Sequence, residues 1–363
     1  MSKEFRKDIR GRGASSNIAN HFLSTHFEAT EEDYDNYLLE EERSLLTTEL
    51  IKDTSRSIIT KNNSPDVGFD YSINCYRGCE HGCAYCYARP THEYLGYSAG
   101  LDFESKIHVK YEAPQLLRDA LLKPSWEGQT LFMSGVTDCY QPIERKLKLT
   151  RGCLEVLSEF KNPVGMITKN ALVTRDIDIL QEMVKWKGCM VFLSITTLDA
   201  DLARSLEPRT STPSAKLAAI EKLSAAGIPT GVNVAPVIPG LTDQEMPMIL
   251  KAAKEAGATM AGFVPLRLPG SVLPVFDDWV KIHRPLRYDK IMSAVKDIRD
   301  GKLNSAEFGS RMRGSGPRAE HIRSLFKLTT RRLGLNEKDM NLSSEYFKRP
   351  PQAGDQLSFK IDD

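Results

Sequence analysis

The sequence predicts a parallel α/β protein, and three observations carry the prediction. Short β-rich runs recur about every thirty residues, and most of them are followed by an amphipathic stretch with helical spacing. Several of those stretches end in glycine, as at Gly227 and Gly257, where a left-handed residue stops a helix at little steric cost. Strand–helix alternation of this length implies parallel strands joined by right-handed crossovers.

In chain order, residues 71–74 form the first predicted strand, immediately ahead of a cysteine-rich loop. Residues 130–136, 164–168, 191–197, 230–238 and 261–268 supply five more. Amphipathic helices are expected at 151–160, 175–185, 213–226 and 242–256, with a later one at 288–299 and none directly after the last strand. Six strand units support a parallel α/β architecture without fixing whether its sheet closes. In such folds, sites gather at the carboxyl ends of the strands.

At 363 residues and 41% hydrophobic composition, the chain can bury a sizeable core. Lys and Arg number 49 against 48 Asp and Glu, so no global field points to nucleic acid or an anionic membrane. The first ten residues are charged and lack the apolar stretch of a secretory signal. The longest apolar neighbourhood, 258–276, is broken by Arg267 and three prolines and is unsuited to span a bilayer. A soluble, cytoplasmic protein is expected, in a compartment that keeps thiols reduced. Residues 1–65 read as an extension, basic at first and then acidic between Glu28 and Glu42. The strand–helix domain is expected over 66–300 and a helical extension over 301–363.

Seven cysteines, four of them within residues 75–86, suit neither a disulfide scaffold nor scattered core thiols. Cys79, Cys83 and Cys86 stand in a C-x3-C-x2-C pattern. Three closely spaced thiolates can hold three irons of a [4Fe–4S] cluster and leave the fourth iron open to a small molecule. Zinc is the competing reading, because Cys75 and the nearby His81 and His92 could complete a tetrahedral set, although zinc ribbons usually draw ligands from two separated knuckles.

From Asn74-Cys75-Tyr76-Arg77-Gly78 through Tyr87-Ala88-Arg89-Pro90, the chain resembles the radical S-adenosylmethionine (SAM) superfamily in its spore photoproduct lyase-like branch, over roughly residues 66–335. The resemblance implies a partial (β/α)6 barrel of the TIM-like kind, with N- and C-terminal extensions. It also implies a [4Fe–4S] cluster on Cys79, Cys83 and Cys86, with SAM chelating the open iron. Reductive cleavage of SAM to a 5′-deoxyadenosyl radical then abstracts hydrogen from a substrate. An electron donor such as flavodoxin or ferredoxin is implied as partner. Relatives tend to carry proline where this chain has Cys75, which reads first as a small buried residue entering the loop and second as a fourth ligand that would block SAM from the open iron.

By the same resemblance, Tyr85 lies near adenine, and Tyr87 completes a Tyr-Cys-Tyr arrangement. Ser134, Gly135, Thr137 and Asp138 stand where the family contacts the SAM amino group. Lys169 is placed near its carboxylate, Ser194 near ribose, and Asn233 and Ala235 beside adenine. In the lyases a cysteine shortly before the Ser-Asp pair returns a hydrogen atom. Here Gly135 occupies that place and Cys139 lies four residues later, so Cys139 and Tyr87 are the catalytic candidates and dimer repair is not expected. A nucleic acid or nucleotide substrate is suggested by analogy alone. A last helical pattern places Arg323, Lys327 and Arg331 on one face, which reads first as a solvated side and second as a phosphate-binding stripe.

Overall fold

Six strands pair side by side in the order in which the chain makes them, so each crossover returns to the next position in one sheet. The structure, a computed structural model, describes residues 9, 11–23, 47–337 and 341–351; the acidic run between Glu28 and Glu42 lies outside them. Its strands are β1 (Glu49–Lys52), β2 (Ile59–Lys61), β3 (Tyr71–Ile73), β4 (Tyr76–Arg77), β5 (Lys106–Val109), β6 (Leu131–Met133), β7 (Val164–Thr168), β8 (Cys189–Ser194), β9 (Thr230–Val237) and β10 (Met260–Pro265). The first helices are α1 (Leu101–Ser105), α2 (Ala113–Leu122), α3 (Glu144–Leu147), α4 (Leu149–Glu159), α5 (Ile177–Val184) and α6 (Ala200–Leu206). They are followed by α7 (Pro213–Ala225), α8 (Met246–Glu255), α9 (Val272–His283), α10 (Tyr288–Asp297) and α11 (Gly316–Leu333).

The main sheet runs β10-β9-β8-β7-β6-β3-β2, parallel except for the antiparallel edge strand β2, and its two edge strands do not pair with each other. This is the partial (β/α)6 barrel that the resemblance implies, and its parallel strand order is the one that the strand–helix periodicity predicts. A second sheet, β1-β5-β4, was not foreseen, and it seats the cysteine loop. Residues ahead of position 66 thus contribute a strand to each sheet.

Parallel strands covered on both faces need apolar side chains in both directions. Val164 and Met166 of β7, Val191 and Leu193 of β8, and Val232 and Val234 of β9, spaced two apart, bury one face, while Ile167, Met190 and Phe192 lie half-buried on the other. Two glycines answer a packing demand. Phe132 pairs with Gly165 and Phe192 with Gly231 across the ladder, and a Cβ at either glycine would meet the facing ring at 2.4 Å.

The strands end earlier than their composition suggests where the backbone turns. β6 stops at Met133 because Ser134 takes a left-handed φ of 69°, which ends extended backbone. The helix α9 directly after the last strand is also absent from the sequence pattern. Pro274 reads there as a breaker but sits in the first turn, where the backbone N–H groups have no helical acceptor to lose. Elsewhere the local signals act as expected. Thr212 caps α7 by accepting from the Ala215 N–H (3.3 Å), Pro213 opens it, and Gly227 (φ 75°) follows its end.

α11 packs against α8 and α10, and Gly334 in the left-handed region ends it. Just beyond, Asn336 turns its amide onto the free edge of β10. The Ala261 N–H donates to Asn336 Oδ1 (2.8 Å) and Asn336 Nδ2 donates to the Ala261 carbonyl (2.9 Å). Among the described residues no helix is long and apolar enough to cross a membrane.

Candidate active site at the carboxyl ends of the strands

The cysteine loop leaves β4 and is held from behind by one buried ion pair. Arg89 is fully buried. Its Nε and Nη2 donate to the Cys83 carbonyl (3.1 and 2.9 Å), its Nη1 donates to the Ala99 and Gly100 carbonyls (3.0 Å each), and it pairs with Glu104 at 2.5 Å. The Glu104 carboxylate also accepts from the Gly13 and Ala14 N–H groups (3.1 and 2.9 Å), and Arg12 donates to the Glu104 carbonyl (2.6 Å). Residues 12–20 thereby form a strap along the outside of the loop. Glycine is required at its closest approach, because a Cβ at Gly13 would lie 1.7 Å from the Gly82 carbonyl oxygen.

Cys79 and Cys83 are each 6% exposed and Cys86 is half-buried. Burial pushes all three thiols above their ordinary pKa. For Cys79 the nearby Asp138, Cys86 and Cys83 push further in the same direction. Cys86 packs against both the hydrophobic cluster that holds Cys79 and the one that holds Cys83. Cys75 is turned away. Its Sγ lies 3.7 Å from that of Cys153, inside the main core. Among the described residues no group of three or more His, Cys, Asp or Glu is arranged to hold a metal ion. Three neighbouring thiols without a fourth fit a multi-iron group that keeps one iron open better than a tetrahedral zinc ion.

The strand ends behind the loop carry a dense polar network. Asp138 accepts from Thr168 Oγ1 (2.7 Å) and from the Lys169 and Tyr140 N–H groups (2.8 Å each), and lies 3.4 Å from His81 Nδ1. Burial pushes its carboxyl up, but His81 and these donors more than offset it and hold its pKa low. Lys169 Nζ donates to the Ala235 carbonyl (2.8 Å) and Thr196 Oγ1 (3.2 Å), and pairs with Glu207 (3.0 Å). Lys216 reaches the other Glu207 oxygen at 2.8 Å, and the Tyr85 hydroxyl donates to Glu207 and meets Thr196 at 3.1 Å. Ser194, the last residue of β8, is the cross-strand partner of Asn233 in the middle of β9.

The remaining predicted residues lie at the end of β6. Thr137 Oγ1 donates to the Tyr76 carbonyl (2.8 Å), and Ser134 Oγ accepts from the Cys139 N–H (3.0 Å). Tyr87 is half exposed and its hydroxyl donates to the Gly135 carbonyl (3.0 Å). Gly135 has little room for a side chain, since a Cβ there would meet Ser72 Cβ at 3.0 Å. Cys139, 4% exposed, packs in the main core beside Tyr140 and Met133.

The profile of the Radical SAM superfamily matches residues 73–253, which contain the cysteine loop and the strand ends just described. This chain belongs to the radical SAM superfamily. An uncharacterised protein of Mycobacterium tuberculosis is 37% identical over 225 residues, 61% of this chain and 66% of the relative, so the chain spans just under two thirds of that relative's length. An uncharacterised protein of Methanocaldococcus jannaschii is 32% identical over 197 residues, 54% of this chain and 71% of the relative. In fold the chain is similar to a cysteine-to-serine variant of spore photoproduct lyase, with TM-score 0.58 and 18% identity over 87% of this chain and 86% of that one. It is likewise similar to spore photoproduct lyase complexed with dinucleoside spore photoproduct, with TM-score 0.55, 17% identity and 87% of each chain covered. Radical SAM proteins are enzymes that use a [4Fe–4S] cluster and SAM.

Several residues of this radical SAM site escape sequence reasoning. Glu207 and Thr196 belong to no periodic pattern, and Arg89 and Glu104 are distant from each other in the chain. Lys216 did leave a signal: it sits in register with Ala219, Ile220 and Leu223 on the buried stripe of α7, where a charged residue needs a partner.

Proposed function

We propose that this radical SAM enzyme holds its [4Fe–4S] cluster on Cys79, Cys83 and Cys86, binds SAM across the ends of β6 to β9, and acts on a nucleotide or nucleic-acid substrate. One observation carries the reading: on a single braced loop Cys86 packs against both the hydrophobic cluster that holds Cys79 and the one that holds Cys83, while the fourth nearby thiol, Cys75, is buried against Cys153. When bound, the cluster supplies the electron that cleaves SAM to the 5′-deoxyadenosyl radical used for hydrogen abstraction.

The protein's share is positioning. Tyr85, locked by Thr196 and Glu207, keeps an aromatic face fixed beside the loop. Lys169 is held at the strand ends by Ala235 and Glu207, within reach of a carboxylate, and Asp138 fixes His81 inside the loop. Ser134, Gly135 and Thr137 shape the turn after β6, while Ser194 and Asn233 pair across β8 and β9. A low-potential one-electron donor is required, and flavodoxin or ferredoxin fits that need.

The substrate class rests on likeness in fold to a lyase solved with a dinucleoside photoproduct. Reversal of that photoproduct is not part of the proposal. Gly135 has no thiol and is crowded by Ser72, and Cys139 is buried in the core. Tyr87, exposed beside the loop, is the catalytic candidate that can meet a substrate.

Anaerobic reconstitution tests the reading through iron and sulfide content, Mössbauer spectra and 5′-deoxyadenosine release. Cys83→Ala should lose the cluster and all SAM cleavage, whereas Cys75→Ala should retain both. Equal cluster loss in the two variants rejects the three-ligand assignment, and an intact cluster that never cleaves SAM rejects the catalytic one.

A further inference from the structure

A group of cations beyond β10 has no task in the reading above. Arg267 follows the end of that strand by two residues and is only partly exposed. Its Nη1 donates to Met312 Sδ (3.2 Å), a weak acceptor, and its buried Nε has no partner. Arg311 pairs with Asp66 (2.5 Å), donates to Ser64 Oγ (2.5 Å) and lies 4.3 Å from the centre of the Phe308 ring.

Arg299, 2% exposed, ties the two loops together. Its Nη2 donates to the Leu266 carbonyl (2.7 Å) and its Nη1 to the Ser310 and Arg311 carbonyls (3.3 and 2.8 Å). Within this group of three guanidinium groups, Asp66 is the one ion-paired carboxylate among the described residues. Burial and Arg311 lower the pKa of Arg267, while burial and Arg267 pull Arg299 down to about 10. Crowded cations of this kind, two of them with an orphaned buried N–H, are costly unless an anion joins them.

The group faces the mouth of the barrel. Tyr87, 51% exposed, lies near enough to Arg267 for each to influence the other's charge, and its hydroxyl reaches the loop after β6. Phe308, 61% exposed, stands on the other side of Arg311. Guanidinium forks suit the tetrahedral oxygens of phosphate, and exposed rings offer faces on which bases stack without sequence preference.

We propose that Arg267 and Arg311 bind a phosphate of the substrate, with Tyr87 and Phe308 as stacking faces for the flanking bases of a single-stranded oligonucleotide or of its nucleotide unit. The proposal rests on the strand-end mouth being the substrate entrance of the radical SAM site. It places phosphate recognition there and not on the basic face of α11, where Lys327 and Arg331 are exposed to solvent.

Fluorescence anisotropy with labelled decathymidylate, competed by thymidine 5′-monophosphate and by inorganic phosphate, tests it on the reconstituted full chain. Arg267→Gln should weaken decathymidylate binding about tenfold or more and flatten its salt dependence by about one phosphate contact. Arg267→Lys should recover part of that loss, and Lys327→Gln with Arg331→Gln should stay within about twofold of wild type. Competition by the mononucleotide as strong as by the oligomer supports the phosphate site and assigns it a free nucleotide. Loss confined to the α11 variant, or no binding by the wild type, overturns the proposal. The SAM-induced change in the EPR spectrum of the reduced cluster is followed in parallel. Its retention in Arg267→Gln certifies a folded site, and its absence from wild type counts against the radical SAM reading alone.

Discussion

The cysteine loop and the mouth beyond β10 both rest on buried arginines, yet they are finished to different degrees. Around the loop every guanidinium nitrogen of Arg89 has an acceptor, and its carboxylate partner is shared with the strap of residues 12–20. Beyond β10, Arg267 and Arg299 each keep a buried N–H without a partner. The contrast is one of arginines, since both ring nitrogens of the buried His92, six residues past Cys86, also lack a partner. A guanidinium left unpaired carries a desolvation cost that an arriving anion offsets, and in the proposal above the substrate phosphate supplies that anion.

Three substitutions sharpen that contrast. Glu104→Gln should be the most damaging, because it strands the fully buried Arg89 cation; a loss of about 3–5 kcal/mol in urea unfolding is expected. A loss below about 1 kcal/mol means that the strap and not the ion pair holds the loop.

Glu207→Gln should cost slightly less, about 2–4 kcal/mol at pH 7: Lys169 keeps other acceptors, and the glutamine amide oxygen can still accept from the buried Lys216. Burial pushes the Glu207 carboxyl up, but Lys169 and Lys216 outweigh it and hold the pKa below the ordinary range. A depressed carboxylate contributes stability that is whole above the unfolded value of about 4.3 and is lost as pH falls through the lower folded value. The gap between wild type and variant should therefore persist at pH 5 and close only in stronger acid. A gap that widens on acidification contradicts this sign.

Phe308→Ala should be nearly silent in unfolding, within about 0.5 kcal/mol, because its ring is exposed. Destabilisation above about 1.5 kcal/mol would place the ring in the scaffold and remove half of the contrast.

Most of the barrel was legible because a parallel strand and its crossover helix write two different periods into the chain, and because C-x3-C-x2-C is a local spacing. What stayed hidden was made by distance or by special backbone. The β1-β5-β4 sheet joins three short segments that have no shared pattern, and the partners of Glu104 at Gly13 and Ala14 lie about ninety positions away. Helix α9 starts inside the proline-broken apolar run 258–276, where no helix was expected, and Pro274 in its first turn adds no signal for one. Thr196 and Glu207 look ordinary alone and gain meaning only beside Lys169 and Tyr85. Lys216 was readable, since a lysine on an apolar stripe announces a buried counter-charge.

An open sheet leaves a row of backbone donors and acceptors along each outer strand, an invitation to pair with another molecule. At β10 that invitation is withdrawn by the amide of Asn336, which imitates a neighbouring strand by giving one hydrogen bond to Ala261 and taking one from it. At the opposite rim, β2 is only three residues long and ends in the charged Lys61. The barrel can therefore stay open for chemistry at one end without becoming a template for edge-to-edge stacking of its own copies.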